Sequence, residues 1–202
     1  MKQHHPHNPA FVLGNGTSRL AINAQSLLDQ GTVYGCNAQY REFSPHFLIA
    51  VDLKMINEIV ETGYHLKNTV WTNPNKALKV SEGLNFFNPH RGWSSGPTAL
   101  FLAAAQGHQD IYILGFDYEG TQGKINNVYA DTKNYRSSKD TATFFGNWLT
   151  QTGKVIREFK NVNFHRVIGI NIFVPEKLKN LPNLDHVTYE KFIERFNLAK
   201  IK

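Results

Sequence analysis

Residues suited to binding a phosphate follow a short apolar run near the start of the chain. The stretch "FVLGNGTSRL" carries two glycines, Gly14 and Gly16, and then two hydroxyl residues, Thr17 and Ser18. Glycine allows the backbone to approach a ligand closely, and a helix that begins at the hydroxyl residues turns its free N–H groups and positive end toward an anion. The pattern predicts a phosphate-binding loop.

This loop departs from the dinucleotide-binding fingerprint. A G-x-G-x-x-G pattern requires glycine at position 19, where the chain has Arg19. NAD-binding domains also place an acidic residue about 20 residues after the loop, whereas "YGCNAQY" offers Asn37. Asn15 and Asn37 each donate and accept hydrogen bonds, which suits a base edge or a ribose without adding negative charge. The alternative is that each asparagine caps a turn.

Two more groups of residues suited to binding or catalysis follow other apolar runs. "GWSSGPTALF" places Ser94, Ser95 and Gly96 at a helix start, where the serine hydroxyls and first-turn N–H groups can face the same cleft. Each serine is alternatively an ordinary N-cap. Asp52 ends the run "LIAVD", where it is either a helix N-cap or a ligand for a cation or hydroxyl.

A further strand end carries an aromatic and acidic group. "YILGFDY" ends with Asp117 and Tyr118. The Tyr118 hydroxyl is suited to stabilise a phosphate leaving group, whereas Asp117 is suited to orient a helix, bind a sugar hydroxyl or act as a base. The H-E-x-x-H pattern of zinc proteases and the Walker pattern of P-loop enzymes are absent from the sequence.

The elements that position these residues alternate between strand and helix patterns. The apolar runs are "AFVLG", "TVYGCN", "HFLIAVD", "NTVWT" and "DIYILGFD", with helical patterns after the first run up to about Leu28, in "LKMINEIVETG" and in "PTALFLAAAQG". A longer helix is expected over about 139–159, followed by strands "VNFHRV" and "GINIFV" and a helix around "TYEKFIERFN". This rhythm predicts an α/β, Rossmann-like fold: a mainly parallel sheet with helices on both faces and ligands at the strands' carboxyl ends.

Length and composition predict one domain over residues 1–202. Residues 1–9 are expected to be a flexible tail and the polar segment 116–138 a lid. Cys36 is the one cysteine, so internal disulfides and cysteine zinc clusters are excluded. No apolar run reaches the roughly 20 residues of a membrane span, so a cytoplasmic protein is expected. The formal charge of +6 favours an anionic partner.

The set "GNGTS", "YGCNAQY" and "SSGPTALFLAAAQGHQDIYILGFDY", with Tyr129 further on, resembles the bacterial sialyltransferases of glycosyltransferase family 42. It also resembles a broader group of Rossmann-like proteins, often phage-encoded, and the hydroxymethylpterin pyrophosphokinases. The resemblance spans most of residues 11–175, and the order of the short motifs carries it. It implies a metal-free transferase that uses a CMP-activated sugar, and a virus-encoded origin.

Several site roles are implied by this resemblance alone. Asn15, Gly16 and Thr17 would hold the phosphates and ribose of the nucleotide, and Asn37 would contact the cytosine nucleotide. The remaining implied residues are the donor-sugar contacts Ser94, Ser95 and Gly96, the base and phosphate neighbours Phe116, Asp117 and Tyr118, and the leaving-group pair Tyr118 and Tyr129.

The chain departs from the family in its lid. Family members use a lid histidine as general base shortly before the long helix, but "DTKNYRSSKD" contains no histidine. Asp117, Tyr135 and His165 are the candidate substitutes. Thr17 also replaces a common proline, and its hydroxyl is still able to cap the helix or bind a phosphate.

The leading expectation is an inverting, sialyltransferase-like enzyme without a required cofactor. Its acceptor is left open, an anionic glycan and a nucleic-acid base both being considered, and so is oligomerisation. One alternative is a pyrophosphokinase-like transferase that uses ATP and Mg²⁺, with Asp52 and Asp117 as metal ligands. The other is a nucleotide-binding protein without transferase activity.

Overall fold

The core of the protein is a sheet of eight strands, each of which pairs in parallel with its neighbours. A computed structural model describes residues 8–78, 80–169 and 173–199. The strands are β1 (Ala10–Leu13), β2 (Thr32–Cys36), β3 (Phe47–Ile49), β4 (Val70–Thr72), β5 (Leu84–Phe86), β6 (Asp110–Leu114), β7 (Asn163–Ile168) and β8 (Leu184–Thr188). Their order across the sheet is β5-β4-β3-β2-β1-β6-β7-β8. The predicted Rossmann-like α/β fold is confirmed.

Helices cover both faces of this sheet. They are α1 (Leu53–Glu61), α2 (Ser95–Ala105), α3 (Gly146–Glu158) and α4 (Tyr189–Arg195). The helices α2 and α3 pack on one face with Val12 of β1, whereas α4 packs on the other face with Phe11 and Leu13. The helix α1 packs on Leu48 of β3, which belongs to that second face. Strands buried on both sides explain why the central runs are almost continuously apolar.

The chain reverses its direction of winding between β1 and β6. It builds the sheet outward from β1 to β5, returns through α2, and continues on the other side of β1 with β6 to β8. A crevice therefore opens at the carboxyl ends of β1 and β6, which is where open parallel sheets bind ligands.

Several predicted boundaries need correction. The helix expected to reach Leu28 is two 3-10 helices, Thr17–Ala21 and Ala24–Asp29, because Ile22 is extended and the side chain of Asn23 accepts a hydrogen bond from the Gln25 N–H and caps the second. The helix expected from about Lys139 begins at Gly146.

Two edge strands, β5 and β8, were not predicted by the sequence pattern. The strand predicted over "GINIFV" falls largely on residues 170–172, which lie outside the described residues, and 173–174 are not strand. Residues 1–7 of the predicted tail lie outside them as well. In the described part of the chain, no helix is long and apolar enough to cross a bilayer.

Arg19, which replaces the third glycine of the fingerprint, is a buried structural cation. Its side chain is only 2% exposed, and it donates to both carboxylate oxygens of Glu42, at 2.7 and 3.2 Å, and to the Tyr129 hydroxyl at 2.9 Å. Burial opposes ionisation of Glu42, but the hydrogen bonds led by that from Arg19 outweigh it and hold its pKa below the ordinary value. Arg19 therefore ties the first loop to Glu42 and to the segment 116–138.

We predict that Glu42→Gln lowers the free energy of unfolding at pH 7 by about 2 kcal/mol, because the buried Arg19 charge loses its counterion. A carboxylate whose folded pKa is depressed stabilises the fold above its unfolded pKa, so the difference from wild type should shrink as the pH falls below about 4.5. Urea denaturation at pH 7 and pH 3.5 measures it. Glu176→Gln, which removes an exposed pair with Lys179, should change stability by less than about 0.5 kcal/mol at both pH values. Equal losses in the two variants would contradict the assigned role of Arg19.

Candidate functional site

A cavity of about 430 Å³ lies at the carboxyl ends of the strands, at the point where the winding reverses. Its walls come from the first loop, the ends of β2, β3 and β6, the start of α2, the segment 116–138 and the start of α3. Of the predicted site residues, nine line it: Asn15, Gly16, Asn37, Ser94, Ser95, Gly96, Phe116, Asp117 and Tyr118. The predicted constellation is thus largely brought together in one place.

The glycines of the first loop allow its backbone to contact the backbone of the loop after β6. The Gly14 N–H donates to the Leu114 carbonyl at 2.8 Å, and the Gly16 N–H donates to the Gly115 carbonyl at 2.9 Å. A Cβ on Gly14 or Gly16 would lie 2.6 or 2.7 Å from the Gly115 carbonyl oxygen, which leaves no space for a side chain. The loops after β1 and β6 are therefore packed together, and this requirement differs from the close approach to a ligand that the sequence suggested.

Asp117 holds the two loops together from its side chain. Its carboxylate accepts hydrogen bonds from the Ser18 N–H at 3.1 Å, from the Ser18 hydroxyl and from the Asn126 amide at 3.0 Å. These donors occupy both oxygens, so Asp117 orients the first loop and does not present a free carboxylate to the cavity. Of the roles open to it in the sequence, helix orientation is the one that this geometry supports.

A hydrogen-bonded chain fixes the orientation of Asn37. The Val51 N–H donates to the Ser95 hydroxyl at 3.1 Å, and that hydroxyl donates to Asn37 Oδ1 at 2.8 Å. The Ser95 hydroxyl thus accepts from Val51 and donates to Asn37, whose Oδ1 faces Ser95. The Asn37 amide nitrogen, without a partner among the described residues, is left as a donor for the cavity.

The start of α2 supplies further donors. First-turn N–H groups of a helix have no partner within it, and since Pro97 has no N–H, those of Ser95 and Gly96 remain. Ser94 occupies the N-cap position of α2, as one interpretation of the sequence predicted, but its side chain makes no capping hydrogen bond. A Cβ on Gly96 would lie 3.0 Å from the Phe116 ring, which shows that this glycine makes room for the ring beneath the cavity.

The segment 116–138 is a wall fastened to the body of the protein. The Thr17 N–H and hydroxyl both donate to Asn126 Oδ1, at 2.8 and 2.7 Å, and the Val128 N–H donates to the Asn15 carbonyl at 2.8 Å. The Tyr135 hydroxyl accepts from the Asn15 amide at 3.2 Å and from the Ala38 N–H at 3.4 Å. The wall is therefore fixed to the ends of β1 and β2.

Two predicted site residues lie outside the cavity, and a third has its hydroxyl engaged. Thr17 is committed to Asn126, and Tyr129 is buried, with its hydroxyl on Arg19. Tyr118 lines the cavity, but its hydroxyl donates to Thr152 Oγ1 at 2.7 Å. The positions of Tyr118 and Tyr129 therefore do not support the leaving-group role; the tyrosine that offers a hydroxyl proton beside Asn15 is Tyr135, because its oxygen accepts two hydrogen bonds.

His165 is not a base for this cavity. It lies in β7, where it contacts Asp185 at 2.7 Å and Asp110 at 3.3 Å and stacks on Tyr112. Asp110 begins β6, at the sheet edge opposite the cavity. His165 is therefore a structural residue of the α4 face.

Two carboxylates in the cavity are free of hydrogen bonds and ion pairs from the described residues. Asp52 occupies the N-cap position of α1, as one interpretation of the sequence predicted, but its side chain makes no capping hydrogen bond. Glu119 follows Tyr118, and burial first, then the neighbouring Asp117 charge, raise its pKa. Among the described residues there is no group of three or more His, Cys, Asp or Glu that could hold a metal ion.

A buried cation lies directly behind the end of β6. Arg166 of β7 is 4% exposed and donates to the carbonyls of Phe116 and Asp117, at 2.9 and 3.1 Å, and of Phe173 at 2.8 Å. No carboxylate of the described chain forms an ion pair with it. Its charge therefore contributes a positive potential at the floor of the cavity.

Other lining residues were not identified from the sequence. They include Asn126, Asn127, Asn134, Arg136, Thr143, Phe145 and Trp148. Most belong to the stretch without periodicity, which gives no indication of which side chains point inward. Phe145 and Trp148 were not identified because α3 was expected to begin at about residue 139, which placed them within the helix and away from its start.

We predict that Asp117→Asn lowers the free energy of unfolding by about 1–3 kcal/mol, because an amide cannot accept all three hydrogen bonds and turns an N–H group toward donors. Asp52→Asn, the same change in the same cavity at a carboxylate without partners, should cost less than about 0.5 kcal/mol. Urea denaturation of both variants measures the contrast. Similar losses would contradict the role assigned to Asp117.

Comparisons with known proteins add no family to this geometry. No protein-family model, curated protein or solved structure matches the chain. The likeness to the family 42 sialyltransferases is therefore a resemblance of short motifs alone.

Proposed function

We propose that the protein is a nucleotide-sugar-dependent glycosyltransferase of sialyltransferase-like mechanism, with a CMP-activated sugar as donor. The observation that carries the proposal is the convergence of Asn15, Asn37, Ser94, Ser95 and Gly96 on one cavity at the reversal of strand order. Ligand cavities in open parallel sheets lie at this position, with a few polar groups that orient the ligand.

The phosphate of the nucleotide is proposed to bind at the start of α2. The Ser95 and Gly96 N–H groups supply donors, the helix supplies its positive end, and the buried Arg166 charge adds to the potential. This arrangement suits an anion even though carboxylates also line the cavity, because the Asp117 charge is already matched by three donors.

The nucleoside is proposed to bind between the ends of β1 and β2. The Asn37 amide nitrogen is oriented toward the cavity by Ser95, so it suits a carbonyl of the base or a ribose hydroxyl. A cytidine nucleotide is preferred on the resemblance alone. The Ser94 hydroxyl, which is not used as a helix cap, is assigned to the donor sugar.

The departing phosphate is proposed to be stabilised by Tyr135. Its hydroxyl proton has no acceptor among the described residues, and the bonds from Asn15 and Ala38 hold the oxygen in place. Burial raises the pKa of Tyr135, so the phenol stays protonated and donates to the developing negative charge.

A second candidate is favoured by Asp52, a free carboxylate in the cavity. An ATP-dependent, pyrophosphokinase-like transferase would use it to hold Mg²⁺, together with phosphate oxygens. The other proposed ligand, Asp117, fits poorly because Ser18 and Asn126 occupy its oxygens. Dependence of nucleotide binding on Mg²⁺ separates the two candidates.

The proposal predicts that CMP and a CMP-activated sugar stabilise the protein, by roughly 2.7 kcal/mol at a hundredfold excess over the dissociation constant. A thermal-shift panel of CMP, CMP-sialic acid, UDP-glucose and ATP, each with Mg²⁺ and with EDTA, measures this. Stabilisation by the cytidine compounds in EDTA is expected. Stabilisation by ATP alone, and only with Mg²⁺, would overturn the proposal in favour of the pyrophosphokinase candidate; binding of CMP-sialic acid without turnover would favour a binding protein.

The variant Asn37→Asp tests the proposed contact between Asn37 and the nucleotide. It keeps an acceptor for Ser95 but adds a negative charge and removes the amide donor. Its affinity for CMP should fall by at least tenfold. Asn75→Asp is the matched control, because Asn75 also accepts through Oδ1, from the Ala77 N–H on an exposed loop. Equal affinity in the two variants would place the nucleotide elsewhere.

Tyr135→Phe should lower kcat by about 10²- to 10³-fold with little change in the Kd for CMP, because one donor to the leaving group is lost. Tyr129→Phe should instead reduce stability and leave kcat near the wild-type value, since its hydroxyl accepts from Arg19 outside the cavity. Hydrolysis of CMP-sialic acid gives kcat for both. Loss of kcat in Tyr129→Phe alone would restore the role implied by the resemblance.

A further inference from the structure

The transfer reaction needs a group that takes a proton, and the cavity offers few. Three carboxylates line it: Asp52, Asp117 and Glu119. Asp117 is excluded by its three hydrogen bonds, and Asp52 lies on the opposite side, beyond β2 and next to the start of α1. Glu119 is the carboxylate without a described partner on the side of the cavity formed by β6 and α3.

Glu119 lies between two contacts with the segment 142–158, which comprises the residues before α3 and α3 itself. On one side of it the Tyr118 hydroxyl donates to Thr152, and on the other a Cβ on Gly120 would lie 2.6 Å from the Ala142 Cβ. Phe145 and Trp148 come from this same segment and line the cavity, with ring centroids 5.5 Å apart. A carboxylate and two aromatic rings therefore share one wall.

We propose that this wall is the acceptor subsite: Phe145 and Trp148 bind the face of a neutral sugar ring, and the Glu119 carboxylate is the general base for its hydroxyl. The inference rests on the proposed glycosyltransferase function. It gives Glu119 the role of general base, which a lid histidine has in the family 42 enzymes. The corresponding stretch here, "DTKNYRSSKD", contains no histidine.

The step balances without a further reactant. The acceptor oxygen forms a bond to the anomeric carbon of the donor sugar while the bond from that carbon to the phosphate oxygen breaks. The electron pair of the broken bond leaves with the nucleotide phosphate, and the acceptor proton passes to Glu119. The proton is later released to solvent, which restores the carboxylate.

The charges around Glu119 suit this role. Burial disfavours ionisation of Glu119, as does the charge of Asp117 on the same loop, while Arg166 on β7 acts in the opposite sense, and the pKa of Glu119 is raised overall. A raised pKa makes the ionised form of a carboxylate a stronger base. The side chain of Glu119 is partly buried, whereas that of Asp52 is exposed.

The charge of the cavity selects the class of acceptor. Asp52 and Glu119 are unpaired carboxylates among the described residues, whereas the lining cation Arg136 is paired with Asp140 at 3.1 Å. Anionic acceptors would be repelled by Glu119. A neutral sugar ring, which carries hydroxyls and an apolar face, matches a carboxylate beside aromatic rings.

The test is transfer from CMP-sialic acid to lactose by the full chain across pH. Glu119→Gln should lower kcat by about 10²- to 10⁴-fold and remove the acidic limb of the pH profile, with an unchanged Kd for CMP. Glu176→Gln, at an exposed site, serves as the matched control with wild-type kinetics. Formate added to Glu119→Ala should restore part of the rate, which a merely structural role would not permit.

A separate pair of variants tests the aromatic residues of the subsite. Trp148→Ala should raise KM for lactose about tenfold and leave the Kd for CMP unchanged. Phe144→Ala, which removes a neighbouring ring that is 82% exposed and does not line the cavity, should leave KM unchanged.

The outcomes separate this inference from the proposed function. If wild type transfers to lactose and Glu119→Gln does so equally well with the same pH profile, the role of Glu119 is overturned and the glycosyltransferase function stands. If Asp52→Asn loses the acidic limb instead, Asp52 is the base. Transfer to an oligonucleotide or to sialyllactose but not to lactose overturns the neutral acceptor, and no turnover of any nucleotide sugar overturns both proposals.

Discussion

The contact between the loops after β1 and β6 is the constraint on which the site depends. Two backbones meet there through hydrogen bonds from Gly14 and Gly16, and Gly115, in the left-handed region at φ +68°, completes the contact. A side chain at any of the three positions would collide with the opposite loop. This contact forms the floor of the cavity. The side chains that line the cavity above it come from several different elements.

Buried charges then fix what surrounds this floor. Arg19 binds Glu42 and the Tyr129 hydroxyl, while Glu58 accepts hydrogen bonds from Tyr40, Arg41 and Asn134. Both sets join the segment 116–138 to the body of the protein. A long stretch without helix or strand is thereby held as a wall, since Arg19 would lose the Tyr129 hydroxyl and Glu58 would lose the Asn134 amide if the segment moved away.

The sequence is a good guide to the fold and to one side of the site. Strand ends can be located from apolar runs, and parallel strands bring their carboxyl ends together, so Asn15, Asn37, Ser95 and Asp117 were placed correctly relative to one another. Hydrogen-bond partners were not predictable. Asp117 is identified as an orienting residue only by the positions of Ser18 and Asn126, which come from distant parts of the chain.

The other side of the site is formed by the segment 116–138, whose sequence has no helical or strand periodicity. Tyr129 and Tyr135 stand six positions apart in a segment without regular structure, and whether either hydroxyl faces the cavity depends on the turns between them. Edge strands β5 and β8 were missed for a related reason: their residues are only partly buried, so they lack the continuous apolar runs of the central strands.

The electrostatics of the cavity divide it into two halves with different chemistry. The start of α2 and the buried Arg166 make the floor favourable for a phosphate, whereas Glu119 makes the wall beside α3 favourable for a group that loses a proton. Arg166 is central to both, because its donors hold the carbonyls of Phe116 and Asp117 and so fix the loop from which Glu119 extends. The proposed transfer requires this separation, since stabilising a departing anion and accepting a proton call for opposite potentials.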